Sequence, residues 1–329
     1  MIMYIIKHIP EDFVVKEYFI PVFSPQGPYA IATLLKRDMT TIDAIEKIAK
    51  AVHVHPNNIG FAGNKDKRAL TTQTISLLNA SRRSIEEFTN KDISLQYLGQ
   101  AAEQITLGAH KGNTFTIIVR SLTEETLERM GKNRTKRFVN TFGPQRFSLD
   151  NAKVGKHIIK KEFKEAVELL SKHPGRLEES IRQHIKQHPN DAIGALQTLP
   201  RRILMLYIVS YQSYLWNIFA AHFKNHSTNL SIPLVGFDTQ LVNEEVKAFV
   251  LQVMEREGVS FRDFLIRQLT NMSIAGTTRS LFMEVKNFDI SVPEKDETAV
   301  GRKKVKLEFY LGKGSYATEL VRQVFGQDG

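Results

Sequence analysis

Strand-patterned segments stand at both ends of this chain, and a long, mostly helical stretch lies between them. Residues 13–17 and 29–35 are strand candidates around the turn-rich 21–28, and 59–62, 73–78, 93–98 and 113–120 follow as further short strands. Thr40, with Asp43 three residues later, forms a capping signature for a helix whose Ile42, Ile45, Ile48, Ala49 and Val52 recur at helical spacing. From about residue 149 the pattern turns helical, most clearly over 201–223, where Leu204, Ile208, Tyr211, Leu215, Trp216 and Phe219 read as a packed core face rather than a recognition surface. Alternation returns at 305–311, and a helix is predicted over 316–325. The residues before Pro10 read as a first strand. These patterns suit an α+β (mixed α/β) protein, and one arrangement they permit is a helical insertion with the C-terminal strand rejoining the first sheet.

At 329 residues the chain is long enough for two domains. Its formal net charge of +10 favours a polyanionic partner. With no cysteine in the sequence, disulfides, a thiol nucleophile and cysteine-based zinc sites are excluded. No stretch approaches a membrane span of roughly 20 apolar residues, and the start has neither a basic leader nor a cleavage site. A cytoplasmic protein is expected.

Chemistry concentrates in Gly60-Phe61-Ala62-Gly63-Asn64-Lys65-Asp66-Lys67-Arg68-Ala69-Leu70-Thr71-Thr72-Gln73. A short apolar strand presents one carboxylate among Lys65, Lys67 and Arg68, which would favour its charged form and draw a phosphate-bearing substrate. A solvated charged turn is the plainer reading of the same residues. Asn64-Lys65-Asp66-Lys67 lacks the acid that a guanine-reading motif needs, and no phosphate-binding Gly-x-x-x-x-Gly-Lys-Ser/Thr occurs. His53 and His55 have no metal-ligand spacing to a third group, so a solvated or capping role is expected and no metal site is predicted. Asn140-Thr141-Phe142-Gly143-Pro144-Gln145-Arg146-Phe147 joins a Gly-Pro turn to aromatics, amides and a cation. Such groups can stack on a base, read its edge or contact phosphate, although two core phenylalanines flanking a turn would look the same.

Taken in order, these segments resemble the TruD family of tRNA pseudouridine synthases. The resemblance begins at Lys7-His8-Ile9-Pro10-Glu11-Asp12-Phe13 and is most specific at Gly63-Asn64-Lys65-Asp66. It continues through Leu107-Gly108-Ala109-His110-Lys111-Gly112-Asn113 and Asn140–Phe147 to Gly276-Thr277-Thr278-Arg279 and Gly314-Ser315-Tyr316-Ala317-Thr318 with Arg322. Ser148 stands where bacterial relatives commonly have Gly, and the middle of the chain matches only loosely.

The resemblance implies a catalytic domain with a mostly antiparallel sheet, here 1–148 plus 277–329, interrupted by an inserted domain at 149–276, with a cleft between them for tRNA. It implies Asp66 as the catalytic aspartate, Lys7 as the basic residue approaching it, Phe142 as the aromatic on the target uracil, and Asn140 as a residue shaping the nucleotide pocket. Phe13, Lys65, Lys67, Arg68, Gln73, Lys111, Asn113, Gln145 and Arg146 are candidate RNA or active-site contacts. The expected reaction is isomerisation of a tRNA uridine, at uridine 13 in the D arm by family precedent. It retains every substrate atom and calls for no cofactor. A monomer is the default expectation, with a homo-oligomer left open. The competing readings are a noncatalytic RNA-binding or chaperone-like protein and a carboxylate hydrolase acting on a small nucleotide.

Overall fold

In the computed structural model, residues 4–132, 136–269 and 272–326 are described. The strands are β1 (Phe13–Tyr18), β2 (Tyr29–Arg37), β3 (Ile59–Phe61), β4 (Leu70–Leu78), β5 (Ile93–Ala101), β6 (Gly112–Leu122), β7 (Arg137–Val139), β8 (Ser231–Leu234), β9 (Thr277–Ser280), β10 (Phe282–Ile290), β11 (Glu294–Lys295) and β12 (Lys303–Gly312). The helices are α1 (Thr41–Ala51), α2 (Arg82–Glu86), α3 (Glu124–Lys132), α4 (Asn151–Ile159), α5 (Phe163–Ser171), α6 (Arg176–Gln187), α7 (Ala192–Gln197), α8 (Arg201–Phe223), α9 (Glu244–Glu257) and α10 (Ala317–Phe325). Together they make a mixed α/β fold with a large, mostly antiparallel sheet.

The chain forms two compact units. One contains the residues up to Phe138 and those from Met283 onward, and the other is Val139–Phe282. The first holds the large sheet, ordered β5-β2-β4-β1-β6-β12-β10-β7, with β3 on β4 and β11 on β12. β1 and β4 run parallel, with Val14 opposite Leu70. On its other side β1 runs antiparallel to β6, Phe13 opposite Ile117. β12, from the C-terminal segment, lies beside β6 from the N-terminal segment. The alternation seen at 305–311 therefore does return to the first sheet.

Local chemistry explains the edges of these elements. Thr40 caps α1 as expected: its hydroxyl accepts from the Asp43 N–H at 3.1 Å, and the Asp43 carboxylate accepts from the Thr40 N–H at 3.4 Å. The buried Ala44, Ile45, Ile48 and Ala49 of α1 share a core with Ala30, Ala32 and Leu34 of β2. His55 caps the short turn that follows, its Nδ1 accepting from the Asn57 N–H. Of the expected first strand, residues 1–3 lie outside the described residues; among the described ones it reduces to a single bridge, Ile5 to Arg120, and Pro10 opens a 3-10 turn, Pro10–Asp12, before β1 begins.

The central unit has its own core around α8, where Leu204, Ile208, Tyr211, Leu215, Trp216 and Phe219 are all buried. Among the described residues α8 is the one helix long and apolar enough to cross a membrane. This corrects the expectation that no stretch approaches such a span; most of the helix's apolar side chains pack inside the unit, with Leu206 and Tyr214 exposed. The unit also starts earlier and ends later than 149–276. The Phe142 backbone is held from both sides by the Asn217 amide of α8, at 2.9 Å each. β9 pairs with β8, Arg279 opposite Ile232. The ends of the unit meet: the Asn140 N–H donates to Leu281 O at 2.8 Å. Just outside it, the Val285 N–H donates to Lys136 O, also at 2.8 Å.

Candidate active site

Asp66 lies on the loop between β3 and β4, with its backbone held from below at three places. The Gln73 amide donates to Gly63 O at 3.2 Å. The Thr41 hydroxyl accepts from the Lys65 N–H at 2.9 Å and itself donates to Gln73 Oε1 at 3.1 Å. The Lys36 ammonium donates to Asp66 O at 2.9 Å and to Met39 O at 2.6 Å. Gln73, Thr41 and Lys36 are all buried, so the loop rests on a hydrogen-bonded polar floor. Gly63 itself sits beside His110, whose Nδ1 lies 3.2 Å from Ala62 O. Burial, reinforced by the nearby Lys65 charge, keeps the His110 imidazole less basic than usual.

The Asp66 side chain is 46% exposed, and its Oδ1 accepts from the Lys7 ammonium at 2.9 Å. Among the described residues no other side chain bonds this carboxylate, which leaves its second oxygen open. Lys7 is held in two ways. Its ammonium lies 4.1 Å from the centre of the Phe13 ring, a cation–π contact. Its backbone takes a left-handed φ of 58°, an uncommon conformation for a side-chain-bearing residue. The segment carrying it is anchored by Asp12, whose two oxygens accept from the Arg120 guanidinium at 2.8 Å each. Arg120 also donates to Asp296 and Glu297.

The basic residues around Asp66 do not act as one cluster. Lys65 is buried and its ammonium is bonded to the Glu17 carboxylate, itself buried. It is a structural partner, not a cation flanking Asp66. Lys67 and Arg68 are exposed. Phe13 and Gln73 are 1% exposed and belong to the support of the loop, so neither presents a surface to RNA. Lys111 is exposed on the strand-entry loop near Tyr18, 6.0 Å from its ring. Asn113 is in β6 opposite Glu17, and its Oδ1 is buried without a hydrogen-bond partner among the described residues.

Asn140, Phe142, Gln145 and Arg146 fall in the central unit. Phe142 is nearly buried, packed edge-on against Trp216 with ring centres 5.8 Å apart. The Arg279 guanidinium lies 4.3 Å from the Phe142 ring centre and 5.3 Å from that of Trp216. Arg279 in turn donates to Asn140 O at 3.0 Å and to its side-chain oxygen, while the Asn140 amide donates to Ser280 O at 3.3 Å. Asn140 thus holds Arg279 over the Phe142 ring. Arg146 is 5.5 Å from the same ring, and Gln145 is exposed.

The family model for tRNA pseudouridine synthase D (TruD) matches residues 2–183, 170–221 and 218–324. The chain belongs to the TruD family. A TruD relative, the tRNA pseudouridine synthase D of Aquifex aeolicus, is 28% identical over 98% of this chain and 98% of its own length. A probable tRNA pseudouridine synthase D of Nanoarchaeum equitans is 29% identical, covering 91% of this chain and 87% of that protein. Among solved structures, the putative TruD of Methanosarcina mazei superposes with a TM-score of 0.81 at 27% identity, over 98% of this chain and 93% of that one.

Four residues that hold these candidates in their own units went unread in the sequence. Glu17, Lys36 and Thr41 lie 49, 30 and 25 positions from Asp66, and their type alone marks them as surface or cap residues. Arg279 carried a signal, since it closes the Gly276-Thr277-Thr278-Arg279 match, but nothing local ties it to Phe142.

Proposed function

We propose that this protein isomerises uridine to pseudouridine in tRNA, with Asp66 as the catalytic carboxylate and uridine 13 of the D arm as its target. Membership of the TruD family supports the reaction class. The observation that carries the role of Asp66 is its tether: one carboxylate oxygen held at 2.9 Å by Lys7, the other open, on a loop fixed by buried donors. A group that must meet a ribose carbon or proton benefits from being both accessible and oriented before substrate arrives.

The reaction breaks the bond from ribose C1′ to uracil N1 and makes one from C1′ to C5, the hydrogen lost at C5 being balanced by one gained at N1. Asp66 promotes cleavage either by attacking C1′ or by removing the 2′ proton. Lys7 orients the carboxylate and offsets its charge as solvent leaves. In this reading Phe142 contacts the uracil, as the resemblance implies. Arg279 lies over its ring and only 7% of the residue is exposed, which confines base contact to that exposed part. Asn140 serves by holding Arg279, its own side chain being already hydrogen-bonded. A paired or stacked uridine must leave the helix to be reached, so base flipping is part of the proposal.

The test is position-mapped pseudouridine in unmodified tRNA transcripts, with wild type and Asp66→Asn compared without added cofactor. Product at one D-arm uridine from wild type, and none from the variant, is expected. RNA binding with no product from folded wild type across a complete tRNA pool would instead indicate a noncatalytic RNA-binding protein.

A further inference from the structure

Lys36 occupies a position where an apolar side chain would be the default. It continues the inward-facing row Ala32, Leu34 of β2 under α1, and it is wholly buried. A buried ammonium has three N–H donors to satisfy, yet only two acceptors meet this one, the backbone oxygens of Met39 and Asp66. Neither acceptor carries a formal charge. The third donor finds no protein partner among the described residues. A neutral amine, with two N–H groups, would match the two carbonyls better than the ammonium does. Hydrogen bonding therefore explains the amine but not its charge, and desolvating that charge is costly.

We infer that Lys36 is a positioning residue for the reaction: it fixes the Asp66 backbone and supplies, from inside the fold, a second positive charge to the carboxylate that Lys7 meets from outside. The inference rests on the reading of Asp66 as the catalytic carboxylate. The charged groups facing Lys36 are Asp66 and Lys65 on the loop and Asp43 on α1. Lys65 is neutralised by Glu17, and Asp43 is exposed and occupied with capping α1. Asp66 is thus the carboxylate with which the buried charge is concerned. Burial pushes the Lys36 ammonium down to about 8, with the Asp66 charge as the chief opposing influence. The sign follows: below that pH Lys36 carries its charge, and above it the charge is lost while both carbonyl contacts can persist.

The experiment is single-turnover pseudouridine formation at saturating tRNA transcript, with transcript affinity and pH profile measured in parallel on the full chain. Lys36→Met is expected to lower the rate about 100-fold, as small misplacements of a reacting group do, with affinity changed less than about threefold. Because the chain has no cysteine, Lys36→Cys can be aminoethylated uniquely in the unfolded state and refolded beside wild type treated identically. This installs a lysine isostere with a slightly more acidic amine. Recovery of rate, with the alkaline fall displaced to lower pH, is the expected result, and it remains readable even if Lys36→Met misfolds. Wild-type rate in folded Lys36→Met, no recovery on aminoethylation of a variant that refolds and binds transcript, or recovery with an unmoved alkaline limb would each overturn the inference. Activity in Asp66→Asn would instead overturn the reading on which it stands.

Discussion

At the scale of single residues, Lys7 separates what stabilises the fold from what prepares the site. Its pairing with Asp66 is partly solvent-exposed, and such pairs contribute only about 0–1 kcal/mol to stability. Its left-handed backbone costs roughly 1 kcal/mol that glycine would not incur, offset by about the same loss of unfolded-chain restriction. Lys7→Gly should therefore change the unfolding free energy by less than about 1 kcal/mol in urea titrations. Pseudouridine formation should nevertheless fall ~100-fold, the usual scale for removing one preorganised charge from a site. Equal losses of stability and rate would show that Lys7 is chiefly structural.

At the scale of elements, the Glu17–Lys65 pair joins β1 to the loop that carries Asp66, and Glu17 also accepts from the Thr74 N–H of β4 at 3.1 Å. Glu17→Gln keeps an oxygen for Thr74 but leaves Lys65 as a buried charge without its counter-charge. It should lower stability by about 3 kcal/mol or more, and Glu17→Gln with Lys65→Met should recover a large part of that in chemical denaturation. An additive double variant would exclude the pair as the cause. This pair also marks where the sequence stops being legible. Strands β1, β2, β5, β6 and β12 were readable from their apolar patterns, and α1 from its cap. The start of β4 at Leu70 was not, because Leu70, Thr71 and Thr72 look like the rest of a polar loop. Asp66 and Lys7 were reachable through the family resemblance. Lys65 was assigned to the site because adjacency in sequence suggests adjacency in chemistry, whereas its partner lies 48 residues away. Lys36 was passed over because lysine defaults to the surface, and only the pairing of β2 with β4 (Arg37 opposite Leu70) brings it under the loop.

At the scale of the whole molecule, the central unit is a single stretch of chain with its own core, built around α8 and including α4, α5 and α9. Val139–Phe282 expressed alone should fold cooperatively, with one thermal transition and retained near-ultraviolet dichroism from Trp216, the sole tryptophan. A molten spectrum would show that its core depends on the rest of the chain. The remaining sheet is assembled from both ends of the sequence, and its pairing of β6 with β12 joins residues as far apart as Gly112 and Gly312. Contacts at such separation are slow to form, which patterning alone does not reveal.

The meeting of Asn140 with Leu281, and of Lys136 with Val285, bears on how that slow step proceeds. Left as random coil, the segment between them would make β7 and β10 find each other across a long loop. The logarithmic law puts that at roughly 3 kcal/mol more than a four-residue turn. Once the segment has folded, its own termini are already a hydrogen bond apart, and the strands meet as if joined by a hairpin. The insertion is then kinetically short however many residues it contains, and such a junction can lengthen or shrink over evolution without disturbing the register of the sheet that hosts it.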